Sequence, residues 1–235
     1  MYFDTLQNIV KSNGFGLIAL IDPDKKNDLK LEKILSTINE SSFNAIFIGG
    51  SRIEDNLYEK RLEYIKTKTS LPLILFPGSS NQVSKHITCM LYLNLISGRN
   101  PKYLIEEQVK SSEKINQLNI ETIPTAYILL DSGESTSVQD VSNTKPLSMI
   151  DKDVILSHAL AGQFMGNKFI YFDCGSGSAN SMNLDLLNFI SLNIKIPIIV
   201  GGGIKSYSQA RDFSSKGASY VVVGNALENN EYHED

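Results

Sequence analysis

Three apolar runs late in the chain each end in residues suited to holding a phosphate. Residues 169–172 lead into an acid and a turn of alternating glycine and serine, residues 198–200 into three glycines, and residues 220–223 into a glycine and an asparagine. Such runs are typical of buried parallel strands, and glycine leaves backbone N–H groups open to phosphate oxygens. Any one of these glycines could simply form a tight turn. The three runs together predict one shared phosphate site.

A pair of acids follows an earlier apolar run. Residues 22–25 read Asp-Pro-Asp-Lys, and Ser51 follows two glycines at the end of the next run. Carboxylate and hydroxyl oxygens suit Mg²⁺, which keeps several waters and commonly bridges substrate phosphates. An Asx turn before Pro23 would explain Asp22 equally well. The sequence therefore offers Asp22 and Ser51 as a magnesium site, with that alternative open.

A third acid, Asp173, ends the run at 169–172. It is either an anchor for a substrate hydroxyl, a general base, or an ordinary loop carboxylate. The 3 histidines lack the spacing of metal ligands. Cys89 and Cys174 fall in predicted strands or at strand ends, so we expect small buried side chains rather than a disulfide.

Strand and helix patterns alternate along the whole chain. The apolar runs predict strands over 16–21, 45–48, 71–76, 87–93, 125–130, 169–172, 198–200 and 220–223. Amphipathic spacing predicts helices over 2–13, 31–38, 57–65, 102–118, 152–165, 184–192 and 207–216, with Asp28, Asn100 and Ser206 as candidate caps. This alternation predicts a single (β/α)₈ TIM barrel over residues 1–235, whose working residues stand at the carboxyl ends of the strands.

Two connections depart from the regular pattern. Only residues 77–86 join the third predicted strand to the fourth, which is too short for a crossover helix. We therefore expect the third helix to be replaced by a loop, leaving a groove beside the barrel for an elongated apolar ligand. The connection 131–150 is unusually long and polar, which is typical of functional or mobile loops.

Composition limits the classes of function. The chain has 235 residues, 42% of them hydrophobic, which suffices for one large core. A net charge of −4 argues against a general nucleic-acid binder. The first residues lack a signal peptide pattern and no apolar run approaches the length of a membrane span. We expect a cytosolic protein.

Taken together, these motifs resemble the geranylgeranylglyceryl phosphate synthase family, which includes the bacterial heptaprenylglyceryl phosphate synthases. The resemblance runs over nearly the whole chain. Its pieces, in order, are LIDPDK (20–25), IFIGGS (46–51), LFPGSSNQVS (75–84), SGRNP (97–101), VSNTKP (141–146), YFDCGSGS (171–178), VGGGI (200–204) and VVGNALE (222–228). The family's modified barrel, with a loop in place of the third helix, agrees with the short third connection.

The resemblance implies a prenyl transfer, in which the free hydroxyl of sn-glycerol 1-phosphate attacks C1 of geranylgeranyl diphosphate and diphosphate leaves. Asp22 and Ser51 match the residues that hold Mg²⁺, the implied cofactor. Tyr171 and Asp173 match the residues that orient the glycerol, and we take them as the catalytic pair. The implied glycerol phosphate site comprises Tyr171, Phe172, Asp173, Cys174, Gly175, Ser176, Gly177, Gly202, Gly203, Gly224 and Asn225.

Some positions depart from the family pattern. Glutamate is usual where this chain has Asp173, and alanine is common at Cys174 and Ser178. The SGRNP and VSNTKP signatures resemble the longer, archaeal-like branch, so we expect a C20 donor rather than the C35 donor of the shorter branch. The resemblance also implies a homo-oligomer and transient membrane contact during product release.

Two other functions stay open on the sequence alone. A phosphate-binding isomerase or aldolase would use the same barrel, although it would require a lysine or histidine pair at the rim that the sequence does not offer. A non-catalytic protein that binds prenyl phosphates would fit a site in which Asp173 marks lost activity.

Overall fold

Eight parallel strands hydrogen-bond in chain order and close into a barrel. The computed structural model describes residues 1–50, 53, 55–176, 178 and 180–234. The strands are β1 (Gly16–Ile21), β2 (Ala45–Ile48), β3 (Leu73–Leu75), β4 (Cys89–Leu95), β5 (Glu121–Leu129), β6 (Phe169–Asp173), β7 (Ile198–Gly201) and β8 (Tyr220–Val223). The predicted TIM barrel is confirmed.

Helices surround the barrel and cover one of its ends. They are α1 (Tyr2–Asn13), α2 (Leu31–Glu40), α3 (Tyr58–Lys68), α4 (Glu107–Gln117), α5 (Ser137–Ser142), α6 (Lys152–Phe164), α7 (Leu184–Ser191), α8 (Tyr207–Ser215) and α9 (Asn225–Glu228). Short 3₁₀ turns occupy Lys25–Asn27 and Ser80–Gln82, and a π-helical turn at Lys102–Glu106 leads into α4. In the described part of the chain, no helix combines the length and apolar character needed to cross a membrane.

The connection between β3 and β4 carries a single 3₁₀ turn. The prediction that a loop replaces the crossover helix between the third and fourth strands is therefore confirmed. Gln82 holds this loop in place. Its side-chain amide donates to the Gly50 carbonyl (2.7 Å) and accepts from the Gly78 N–H (3.1 Å), while the Tyr58 hydroxyl donates to the Gln82 carbonyl (2.6 Å). The loop is therefore tied to the loop that follows β2 and to α3.

Three local features differ from expectation. β5 starts at Glu121 rather than at 125, because Pro124 is tolerated in the ladder and its carbonyl accepts the Lys168 N–H (2.7 Å). The long connection contains α5, which the Thr136 side chain caps. The prediction that Asp28 caps α2 is wrong, because the Asp28 carboxylate pairs with Arg61 instead.

Side chains alternate between the barrel interior and the layer under the helices, as parallel strands require. The interior holds large aromatic residues, among them Phe47, Phe169 and Tyr220. α1 closes the amino-terminal mouth by inserting Leu6, which is 1% exposed. The Glu121 carboxylate accepts the backbone N–H groups of Tyr2 (2.6 Å) and Phe3 (3.0 Å), which satisfies donors that the helix start leaves unpaired.

We predict that Leu6→Ala lowers the free energy of unfolding by about 2–5 kcal/mol, because it leaves a cavity in the barrel mouth. Urea denaturation measures the change. Leu29→Ala, at a fully exposed leucine, is the control and should have little effect. Equal effects of the two substitutions would show that α1 does not contribute to the barrel core.

Candidate functional site

One cavity of about 680 Å³ opens at the carboxyl ends of the strands. It brings together the acid of the first strand, the acid of the sixth and the glycine turns of the last three. The predicted residues that line it are Asp22, Tyr171, Asp173, Gly175, Ser176, Gly202, Gly203, Gly224 and Asn225. The predicted residues Ser51 and Gly177 lie outside the described residues.

Two predicted contacts need correction. Phe172 and Cys174 are fully buried in the layer between strands and helices, so their side chains point away from the cavity. The Cys174 N–H also donates to the Gly201 carbonyl (3.0 Å). These two residues hold β6 in place rather than line the site, because they alternate with Tyr171 and Asp173 along the chain. Both cysteines are free and buried, as expected.

The glycine turns form a cradle that larger residues could not form. Gly202 and Gly203 have φ of 95° and 72°, and a Cβ on Gly202 would lie 2.9 Å from the Cβ of Cys174. Ser176 donates from its hydroxyl to the Asn225 side-chain oxygen (2.6 Å), which joins the loops after β6 and β8. The cradle therefore consists of three loops in contact, and its backbone suits an anion such as phosphate.

Asp173 is 8% exposed and is held on both oxygens. The Tyr127 hydroxyl donates to Oδ2, and the Gly175 N–H donates to Oδ1 at 2.8 Å. Burial raises the pKa of Asp173, while these two hydrogen bonds oppose the rise. Burial also raises the pKa of both Tyr127 and Tyr171, with the Asp173 charge adding to it, so both hydroxyls stay protonated.

Tyr127 is a site residue that the sequence analysis missed. It lies inside β5, paired in register with Tyr171, so both rings enter the barrel side by side. Their ring centroids are 5.4 Å apart. The Phe76 ring stacks on Tyr171 at 5.1 Å and packs at a tilt against Tyr127 at 5.9 Å. The available signal was period-two alternation within the apolar run, which places residues 125, 127 and 129 on one face.

The acid rim contains a network of charges. Lys26 Nζ lies 2.9 Å from Asp22 Oδ2 and 3.4 Å from the Glu228 carboxylate. The Asn27 amide donates to the Asp22 carbonyl and to Glu228, each at 2.8 Å. Asp24 caps the 3₁₀ turn by accepting the Lys26 N–H. Glu228 on α9, also missed in the sequence, therefore joins the rim to the loop that carries Asn225.

Asp22 has one oxygen suited to a cation. Its Oδ1 is buried and has no hydrogen-bond partner among the described residues, and a Cβ on Gly50 would lie 2.2 Å from it. Burial is the main cause that raises the pKa of Asp22. The described chain contains no cluster of three metal-ligating side chains. A single carboxylate still fits Mg²⁺, which takes its other oxygens from water and substrate phosphates.

The cavity continues past Phe76 into a groove whose apolar side chains are interspersed with polar ones such as Glu107 and Gln108. The groove runs beneath the loop between β3 and β4 toward α4 and α5, where no crossover helix covers the sheet. Its lining includes Val83, Met90, Tyr92, Leu93, Tyr103, Val138 and Val141. One continuous cavity therefore holds an anion cradle, an acid rim and an extension with apolar side chains.

Comparison with known proteins agrees with this arrangement. The sequence profile of the PcrB family matches residues 7–235. The chain belongs to the PcrB family.

The two relatives described next carry the same name. The geranylgeranylglyceryl phosphate synthase of Flavobacterium johnsoniae is 42% identical over 226 residues, covering 96% of this chain and 93% of the relative. That of Zunongwangia profunda is 38% identical and covers 97% of both. A crystal structure of (S)-3-O-geranylgeranylglyceryl phosphate synthase from Thermoplasma acidophilum, in complex with its substrate sn-glycerol-1-phosphate, has a TM-score of 0.86 at 30% identity. The superposition covers 95% of this chain and 91% of the Thermoplasma acidophilum chain.

We predict that Tyr127→Phe raises the pKa of Asp173, because it removes a hydrogen bond that favours the ionised carboxylate. A ¹³C NMR titration of the Asp173 carboxyl carbon measures the shift. Tyr92→Phe is the control, since the Tyr92 hydroxyl donates to the Gln108 carbonyl instead. An unchanged Asp173 titration in Tyr127→Phe would contradict the assigned hydrogen bond.

Proposed function

We propose that this protein is a Mg²⁺-dependent prenyltransferase. It joins the free hydroxyl of sn-glycerol 1-phosphate to C1 of geranylgeranyl diphosphate through an ether bond and releases diphosphate. The observation that carries the proposal is the single cavity in which the anion cradle, the acid rim and the apolar groove meet. The names of its family relatives support it.

The cradle end would hold glycerol phosphate. Backbone N–H groups of the glycine turns surround the phosphate, and the glycerol extends toward Asp173 and Tyr171. Asp173 in its ionised form accepts the hydrogen of the attacking hydroxyl. As that oxygen bonds to C1, its proton passes to the Asp173 carboxylate, and the C1–O bond to diphosphate breaks with the electron pair leaving on the diphosphate oxygen. Asp173 is one methylene shorter than the glutamate usual in the family, so a water could bridge carboxylate and hydroxyl.

The rim end would hold the diphosphate. Asp22 would bind Mg²⁺ through Oδ1, and Ser51 remains the predicted second ligand. Bound Mg²⁺ supplies positive charge that offsets the charge growing on the leaving diphosphate. Lys26 lies between the carboxylates of Asp22 and Glu228, and its single positive charge offsets part of their repulsion of that anion.

The groove would hold the prenyl chain, and we propose a C20 donor. Its apolar lining stabilises the chain by excluding water. The product carries a polar phosphate and a long apolar tail, which motivates the proposal of transient membrane contact at release. A homo-oligomer is a further proposal, and so is the cytosolic location that the sequence led us to expect.

The direct test of the proposal incubates the protein with Mg²⁺, either enantiomer of glycerol phosphate and prenyl diphosphates from C15 to C35, with products read by mass spectrometry. We expect an ether product that forms fastest from sn-glycerol 1-phosphate and the C20 donor. Absence of product at every donor length would refute the proposed prenyltransferase activity. Tight binding of both substrates without product would indicate a prenyl phosphate-binding protein.

Two substitutions should affect opposite ends of the cavity. We predict that Asp22→Asn lowers turnover about 100-fold or more while the Kd for sn-glycerol 1-phosphate is nearly unchanged. Gly202→Ala should raise that Kd about 10-fold or more, because alanine is strained at this φ and contacts Cys174. Isothermal titration calorimetry and initial rates measure both effects.

Gly14→Ala is the control, since Gly14 has a similar φ of 84° with nothing within 4 Å of the added Cβ. It should leave both Kd and turnover unchanged. If Asp22→Asn weakened glycerol phosphate binding as much as Gly202→Ala does, the separation of the two ends would be wrong.

A further inference from the structure

Arg61 is a buried arginine that the proposed reaction does not use. It lies on α3 and is 5% exposed, although arginine is mostly a surface residue. Its guanidinium reaches back toward the carboxyl ends of the first two strands, beside the acid rim. A buried charge in that place requires partners.

Both partners are aspartates, one from each neighbouring loop. Nε and Nη2 donate to the Asp28 carboxylate at 2.5 and 2.8 Å, and Nη1 and Nη2 donate to the Asp55 carboxylate at 2.7 Å each. Nη1 also lies 3.5 Å from the Pro23 carbonyl oxygen. All five N–H donors of the guanidinium are thus directed at acceptors.

These contacts hold their charges throughout the physiological pH range. The hydrogen bond from Arg61 is the main cause that lowers the pKa of Asp55, to about 2, and that of Asp28 is lowered in the same way. Only a guanidinium makes two-point contacts with two carboxylates at once. A lysine at this position would keep the positive charge but lose the two-point contacts with Asp28 and Asp55.

The acceptors of the Arg61 hydrogen bonds lie in two neighbouring loops, one after β1 and one after β2. Pro23 directly follows Asp22, and Asp28 lies further along the same loop, three residues before α2 begins. Asp55 lies four residues beyond Ser51 in the sequence. Other side chains connect these loops to different elements. Asn27 connects the loop after β1 to α9, and Gln82 connects the loop after β2 to the loop after β3. Arg61 connects the first loop directly to the second.

We propose that Arg61 is a positioning residue that fixes the spacing between the loop after β1, which carries Asp22, and the part of the loop after β2 that carries Asp55. Through that spacing it sets the affinity of the rim for a magnesium-bound diphosphate. The inference rests on the proposed function in assigning the rim to diphosphate. Its immediate consequence is a binding property, which can be measured without turnover.

The test is calorimetric titration of the full chain with inorganic pyrophosphate in the presence of Mg²⁺, in wild type and Arg61→Lys. We expect the substitution to weaken pyrophosphate binding about 10-fold or more, as loss of oriented contacts behind a metal site commonly does. The Kd for sn-glycerol 1-phosphate should stay within about twofold, because the cradle lies on other strands.

A second variant separates positioning from stability. Ile65→Val shortens a buried side chain on the same helix and should lower the unfolding temperature. It leaves the contacts of Arg61 with Asp28 and Asp55 in place. It should bind pyrophosphate as wild type does. Equal weakening in both variants, or unchanged pyrophosphate binding in Arg61→Lys, would overturn the inference.

The wild-type protein distinguishes the two proposals. If it binds magnesium pyrophosphate and Arg61→Lys does not, while no ether product forms, the positioning role stands and the proposed reaction fails. If wild type binds no magnesium pyrophosphate, the rim is not a diphosphate site and the positioning role is refuted.

Discussion

The hydrogen-bonded register of β6 with its two neighbours is the constraint on which the site depends. It pairs Tyr171 with Tyr127 on one side and Asp173 with Gly201 on the other. Because side chains alternate along a strand, this register directs Tyr171 and Asp173 into the cavity and Phe172 under the helices. A slip of one residue would bury the acid among apolar side chains. Gly201 completes the arrangement, since a Cβ there would lie 2.5 Å from the Tyr171 hydroxyl oxygen.

The absence of a crossover helix between β3 and β4 determines what kind of ligand the barrel accepts. A complete ring of helices would confine the cavity to the rim, where only a small phosphorylated molecule fits. With a loop in that position, the cavity extends sideways under residues that the loop and α4 provide. Ser80 donates its backbone N–H to the Glu107 carboxylate at 2.7 Å, which fastens the loop to α4 and keeps the groove formed. Polar and apolar ends therefore belong to one continuous space.

Much of this architecture is encoded locally and could be predicted. The barrel, the short third connection and the glycine turns all follow from runs of adjacent residues. Contacts between distant segments could not be predicted in this way. Tyr127 reaches Asp173 across 46 positions and Asn27 reaches Glu228 across 201, so neither pair leaves a local pattern. Asp28 illustrates the same limit, because a good capping residue found a stronger partner in Arg61. Phe172 and Cys174 were misplaced because the motif was treated as continuous, whereas a strand presents only alternate residues.

In the proposed reaction, glycerol phosphate and diphosphate occupy opposite ends of one cavity. A crystal structure of the protein with sn-glycerol 1-phosphate and Mg²⁺ pyrophosphate would show where each binds. We expect the phosphate oxygens of glycerol phosphate within about 3 Å of backbone N–H groups at Gly202–Gly203 and Gly224–Asn225, its free hydroxyl facing Asp173, and the metal on Asp22 Oδ1. A glycerol phosphate bound at Asp22, or a metal bound at Asp173, would contradict this arrangement.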